Sequence, residues 1–221
     1  MKLKMLALLA FATLLLSGCA SSHFYVDQEW KGQPKPASVK VVFTKPVIGN
    51  PDDLKDDLPE YESNFVKWFG PVAKFFFIEE SRKTVKFSMK QVSDDAITMK
   101  KVKLGNDDFD APFFAEMKGE STVHLVISSI WLGRESYTEA VAPGNASFMA
   151  GAPMGPTYQT TRLFVSKCKY AFYDTKSGKL LGYGYAKGKS VYQFAVTKSD
   201  WEFALRDMVN RVLANTPIVS W

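Results

Sequence analysis

Residues Leu163 to Phe194, LFVSKCKYAFYDTKSGKLLGYGYAKGKSVYQF, decide the fold class. Leu163 to Tyr173 and Leu180 to Phe194 are rich in aromatic and β-branched residues, which suit a pleated, half-buried surface. Between them Asp174-Thr175-Lys176-Ser177-Gly178-Lys179 is turn chemistry, with Gly178 placed for a left-handed backbone position. The stretch predicts an antiparallel hairpin. Gly182 and Gly184 predict a bend or bulge in its second strand.

Downstream, Thr197 or Ser199 caps a predicted helix whose Trp201, Ala204, Leu205, Met208, Val209, Val212 and Leu213 share one face, closed by Asn215 and Pro217. Upstream, Thr122 to Leu132 is strand-like through Val123, Leu125, Ile127, Ile130 and Trp131, and Val39 to Val47 reads as a buried first strand. Leu58, Tyr61, Phe65, Trp68 and Phe69 recur at helical spacing, predicting a helix over 58–69 that Gly70-Pro71 ends. Lys74 to Ile78 reads as a short apolar strand, Val85, Phe87 and Met89 alternate, and Ile97 to Leu104 is extended. Phe109 to Met117 reads as a short helix capped by Asp108 or Asp110, with Pro112 in its first turn. Interleaved strands and helices with a late hairpin define an α+β class, a mixed sheet covered by amphipathic helices.

With 221 residues, 28 basic against 23 acidic side chains, 46% hydrophobic and 14% aromatic content, the chain reads as a folded protein of one domain, or at most two small ones. Its amino terminus reads differently. Lys2 and Lys4 precede an apolar run from Met5 to Leu16, too short to span about 30 Å of hydrocarbon and of signal-peptide proportions. The run ends in Leu16-Ser17-Gly18-Cys19, which closely resembles the lipobox of bacterial lipoproteins. The resemblance implies cleavage between Gly18 and Cys19, diacylglycerol on the Cys19 thiol and acylation of the new amino terminus. By the same analogy Ala20 in place of an aspartate implies the outer membrane, on its periplasmic face.

Three regions follow: a signal peptide over 1–18, a lipidated cysteine and polar tether over 19–38 stiffened by Pro34 and Pro36, and one α+β periplasmic domain over 39–221. The mature chain would hold 26 basic and 23 acidic residues, a mild +3 with no basic-aromatic run, which excludes an electrostatic case for nucleic acid. With Cys19 acylated, Cys168 is alone and makes no internal disulfide.

The order of lipidated cysteine, tether, buried strand, helix, long central strand, hairpin and closing amphipathic helix, from Val39 to Pro217, resembles a group of envelope lipoproteins that includes the curli-secretion channel lipoprotein and the amino-terminal domain of the Tol-Pal propeller protein. The resemblance implies a periplasmic sheet covered by helices and a role in envelope assembly or secretion through protein contacts. It carries no functional residue over. Neither side of the 174–179 turn has a lipid-facing pattern of sufficient length, so no pore is expected.

The chemistry of a catalytic centre is sparse. His23 falls in the tether and His124 in the central strand, so a two-histidine metal site would have to join distant regions. Alternation sets His124 opposite Val123 and Leu125, facing solvent or a helix with its ring hydrogen-bonded. Cys168 lies on a strand, without the helix start or positioned base that would lower its pKa. Asn106-Asp107-Asp108-Phe109-Asp110 gathers oxygen ligands without the register of a calcium loop and reads as a solvated turn and helix cap. No nucleophile elbow, phosphate loop or dinucleotide fingerprint occurs. A non-enzymatic protein without cofactor or metal is expected.

Ala140 to Thr157, with Pro143, Gly144, Gly151, Pro153, Gly155 and Pro156, reads as a long loop. With Phe148, Met149, Met154 and neighbouring Tyr158 it reads equally as a contact for an envelope protein or a second copy, and as an unstructured insertion. Tyr183, Tyr185, Tyr192, Trp131 and Tyr137 offer the alternative of an aromatic platform binding cell-wall polymer or glycan.

Overall fold

The computed structural model describes residues 24–54, 65–117, 121–141 and 157–219. A seven-stranded mixed sheet is built from β1 (Phe24–Val26), β2 (Ser38–Thr44), β3 (Val47–Ile48), β4 (Lys86–Val92), β7 (Val123–Val141), β8 (Thr157–Asp174) and β9 (Leu180–Val191). A separate two-stranded sheet pairs β5 (Ile97–Leu104) with β6 (Asp107–Phe114). The helices are α1 (Gln28–Lys31), α2 (Pro51–Leu54), α3 (Phe65–Glu80) and α4 (Lys198–Leu213). The large sheet runs β1-β9-β8-β7-β2-β4, with β3 also beside β7; β2 lies parallel to β4 and β7, while β7, β8, β9 and β1 are antiparallel. The class is α+β.

Period two in the strands gives the sheet two apolar faces. One carries Val39, Val41, Leu125, Ile127, Phe164, Cys168 and Phe172 and is covered by α3 and α4. The other carries Val42, Val126, Ala171, Tyr173 and Tyr183 and is covered by Ile97, Phe109, Ala111 and Phe114 of the β5–β6 hairpin. Polar anchors fix that hairpin: Tyr173 Oη donates to the Pro112 carbonyl at 3.0 Å, and Tyr183 Oη donates to that of Lys103.

The predicted hairpin is present. Asp174 Oδ1 accepts from the backbone N–H of Lys176 and Ser177 and from Ser177 Oγ, and Gly178 has φ +67°. A register shift follows between Phe172 and Tyr173. The closing helix has the predicted apolar face and a reciprocal cap, Thr197 accepting from Asp200 N–H while Asp200 accepts from Thr197 N–H. It packs closely on β9 at Gly188, where a Cβ would stand 2.0 Å from the Ala204 carbonyl oxygen.

Five expectations change. Residues 24–36, read as tether, belong to the fold from Phe24 on: β1 pairs with β9, Asp27 accepts from Trp30 N–H, and Trp30 is buried with its ring 5.2 Å from that of Phe172. A lone tryptophan among polar residues sets up no period, so this docking leaves no pattern to read.

The helix does not stop at Gly70-Pro71, and Lys74–Ile78 is not a strand; α3 runs through both. Phe69, Ala73, Phe76 and Phe77 fall on one buried face at helical spacing. Their burial, at about 2 kcal/mol per large side chain, outweighs the roughly 3 kcal/mol that an internal proline costs. Residues 58–64 of that predicted helix lie outside the described residues.

Phe109–Met117 is not a helix. Its first part is β6, turned back on β5 through Gly105, φ +65°, with Asp108 paired to Lys103 at 2.7 Å. Pro112 is tolerated because a two-stranded sheet leaves each strand one free edge. Finally, strand structure takes both ends of the predicted 140–157 loop, since Ala140 pairs with Tyr158 and Val141 with Thr157.

Candidate functional site

The central strands outgrow the sheet around them. β3 pairs with β7 only at Trp131 and Leu132, and Gly49 N–H closes on the Leu132 carbonyl at 2.7 Å. On the other side β9 ends with Val191 opposite Leu163, followed by one bond from Tyr192 N–H to the Arg162 carbonyl. Beyond that level, among the described residues, Tyr137 to Val141 and Thr157 to Thr161 pair only with each other. They form a two-stranded ribbon whose edges, among the described residues, no further strand pairs. Tyr137 and Tyr158 are 49% and 67% exposed on its opposite faces, and the Thr138 and Thr160 hydroxyls meet across it at 2.9 Å. A free edge offers unpaired N–H and C=O groups to another strand, and an isolated two-stranded ribbon is marginal in water.

The base of the ribbon is stiffened. A bulge between Ser128 and Trp131, with Ser129 at φ 53°, re-aims β7. Beyond it Trp131 lies on the backbone of Gly49 and Gly133, where any Cβ would overlap its ring. Lys167 Nζ sits 4.1 Å from the ring centre and 3.0 Å from Glu135 Oε1, and Lys187 Nζ is 2.6 Å from Glu135 Oε2. Burial pushes the Glu135 carboxyl up, but the bonds from Lys187 and Lys167 outweigh it and hold the group below its ordinary range. The Arg134 guanidinium lies 5.5 Å from the Tyr192 ring. This arrangement orients a ribbon; it places no nucleophile beside a base.

Of the sequence-predicted site residues, Tyr158 lies on the ribbon, whereas Gly18, Cys19, Phe148, Met149 and Met154 lie outside the described residues. Cys168 is fully buried on the helix-covered face, its thiol pushed up to about 12 by burial. His124 is also buried, but on the opposite face, so the two do not meet. Its ring is shielded from solvent on the face that the β5–β6 hairpin covers, and neither nitrogen has a hydrogen-bond partner among the described residues. Burial, then neighbouring Lys40, lowers its pKa. Asp107, Asp108 and Asp110 lie along β6, Asp108 engaged by Lys103 and Asp110 3.9 Å from Lys169. Among the described residues no three His, Cys, Asp or Glu side chains cluster as metal ligands.

The aromatic set divides. Tyr183 is buried against Phe109, Trp131 lies under Lys167, and Tyr137 is exposed. Elsewhere, a cleft of about 440 Å³ between residues 27–37 and the 174–179 turn is crossed by Lys179, which pairs with Asp27 at 3.1 Å and Glu29 at 2.9 Å.

Sequence reading missed the Glu135 bridge and the strand character of 136–141 and 157–162. Tyr137-Thr138 and Tyr158-Gln159-Thr160 carried a β-favouring signal, but with both faces exposed they lack a hydrophobic period.

No protein-family model and no curated protein matches the chain. Among solved structures it is similar to a putative neuraminyllactose-binding hemagglutinin homolog from Helicobacter pylori, at 13% identity over 82% of this chain and 84% of that one, with a TM-score of 0.32. It is also similar to the PelC dodecamer from Paraburkholderia phytofirmans, at 8% identity over 90% and 99% of the two chains, with a TM-score of 0.34. The functional reading therefore rests on this chain's own residues.

Proposed function

We propose that this protein is an envelope lipoprotein, held by acylated Cys19 on the periplasmic face of the outer membrane, that acts without catalysis as a protein-interaction or assembly component. The Leu16-Ser17-Gly18-Cys19 motif behind its short apolar run supports the anchor. One observation carries the contact: the β7–β8 ribbon leaves the sheet with neither edge paired by another strand among the described residues. An envelope protein or a second copy would complete it by strand addition. Tyr158 is exposed on the ribbon beyond the reach of β3 and β9, so chymotrypsin sensitivity reports on the contact. Cleavage after Tyr158 is expected to be slow in native membranes and faster in detergent-purified protein. Equal rates would overturn the ribbon as the contact. Acylation is checked by the mass of the amino-terminal peptide, which must begin at Cys19.

The alternative, a module for cell-wall polymer or glycan, draws on the exposed Tyr137 and Tyr158. Their positions on opposite faces give it a narrower base than a flat platform would. Quenching of tyrosine and tryptophan emission by added sugar is its test.

A further inference from the structure

We infer that the β1–β9 edge of the sheet is the surface that rests on the bilayer; this builds on the proposed anchoring through Cys19. Phe24, the first residue of β1, is five positions after Cys19, so the lipidated residue is at most about 17 Å from the fold. The membrane plane must therefore pass close to β1, and a long spacer is ruled out. The register of β1 against β9, Phe24 with Gly184 and Val26 with Gly182, means that the chain enters from the end of β9 that carries Lys187, Lys189 and Val191.

The chemistry of that edge fits a lipid headgroup layer. Phe24 and Tyr25 are exposed on β1, Val191 is exposed at the end of β9, and Phe194 just beyond it is 88% exposed. Lys189 is exposed, and its side chain has no ion pair among the described residues. Lys187, on the same face, is shared with Glu135. Apolar and aromatic side chains beside lysines are the composition that interfacial surfaces use, the rings entering the headgroup boundary and the ammonium groups meeting lipid phosphates. β1 covers only Gly182 to Gly184 of β9; from Tyr185 onward no strand among the described residues pairs the outer edge, where Asp207 of α4 accepts from the Lys189 N–H at 3.1 Å. The opposite edge, β4, stands five strand spacings away, about 24 Å. A protein anchored this way lies edge-down, with β4 facing the aqueous side.

The test uses full-length protein processed in cells, with a single environment-sensitive fluorophore on Phe194→Cys, Tyr25→Cys or Ser88→Cys, the last on β4. Cys168 is buried and does not compete for label. After reconstitution into phosphatidylethanolamine/phosphatidylglycerol vesicles, quenching by headgroup-proximal spin-labelled lipid is expected to be several-fold stronger at 194 and 25 than at 88. Equal quenching at all three positions in an acylated, vesicle-bound protein overturns the orientation alone. An unacylated protein that stays in solution overturns the anchor and the orientation together. Phe194→Cys changes a solvent-exposed side chain, so its result stands even if Tyr25→Cys, which loses a ring contact with Tyr183, disturbs the edge.

Discussion

Glu135 Oε2 lies 2.6 Å from Lys187 Nζ, and the same carboxylate reaches Lys167 on β8 between them. One acid thereby ties three strands together where the ribbon leaves the sheet. Replacing it with glutamine leaves two lysines facing each other in a half-buried site. Glu135→Gln is expected to destabilise the protein by about 1–2 kcal/mol, read from the urea midpoint. Because the folded carboxyl titrates below its ordinary 4.5, this contribution is complete above that pH and is lost as pH falls through the lower folded value. The variant should lack that acid-side loss.

His124 is expected to set a second pH dependence. Its ring is buried beside Lys40, and its folded pKa is below the ordinary 6.5. As pH falls below 6.5 the unfolded chain takes up the proton first, so stability declines. His124→Leu should flatten the stability profile between about pH 6.5 and 5. It should not lower stability at pH 7.5, since neither ring nitrogen has a partner among the described residues to lose. Denaturant midpoints across that range check both statements.

Trp30→Ala tests whether residues 24–36 are fold or tether. As part of the core, the ring should cost about 3–5 kcal/mol to remove. A tether residue would change the denaturation midpoint by almost nothing.

Gly188→Ala is expected to be severe for one added methyl group. The new Cβ would collide with the backbone of α4 at Ala204 and Met208, and a helix backbone cannot yield as a side chain does. A loss of about 3 kcal/mol or more is expected in thermal or urea unfolding.

Cys168 should behave as a core atom. With its thiol pushed up to about 12, alkylation of the native protein at pH 8 should proceed only at the rate of global opening and become fast in denaturant. A rapid native reaction would show that the β8–β9 face opens locally.

Elements whose signal is local were legible in the sequence. The 174–179 turn declares itself through Asp174, Ser177 and Gly178, and α4 through its cap and unbroken apolar face. Elements fixed by distant partners were not. The phenylalanines of α3 suit a strand or a helix equally, and only the sheet beneath them selects the helix against Pro71. The acids before Phe109 resemble a helix entry until β5 pairs with them. The ribbon was hidden for the opposite reason: no core selects its strands, so Tyr137, Thr138, Thr160 and Thr161 show no hydrophobic alternation. Glu135 was invisible as a site because its two lysines, at 167 and 187, come together only through the register of β8 and β9.

Crosslinking in intact cells from a photoreactive residue at position 158, with a second probe at Ser88 on the far edge, tests the interaction reading most directly. A discrete protein adduct from 158 that is absent from 88 is the expected result, and its mass separates a second copy from another envelope protein. No adduct from 158, or the same adducts from both positions, would contradict the ribbon as the contact surface.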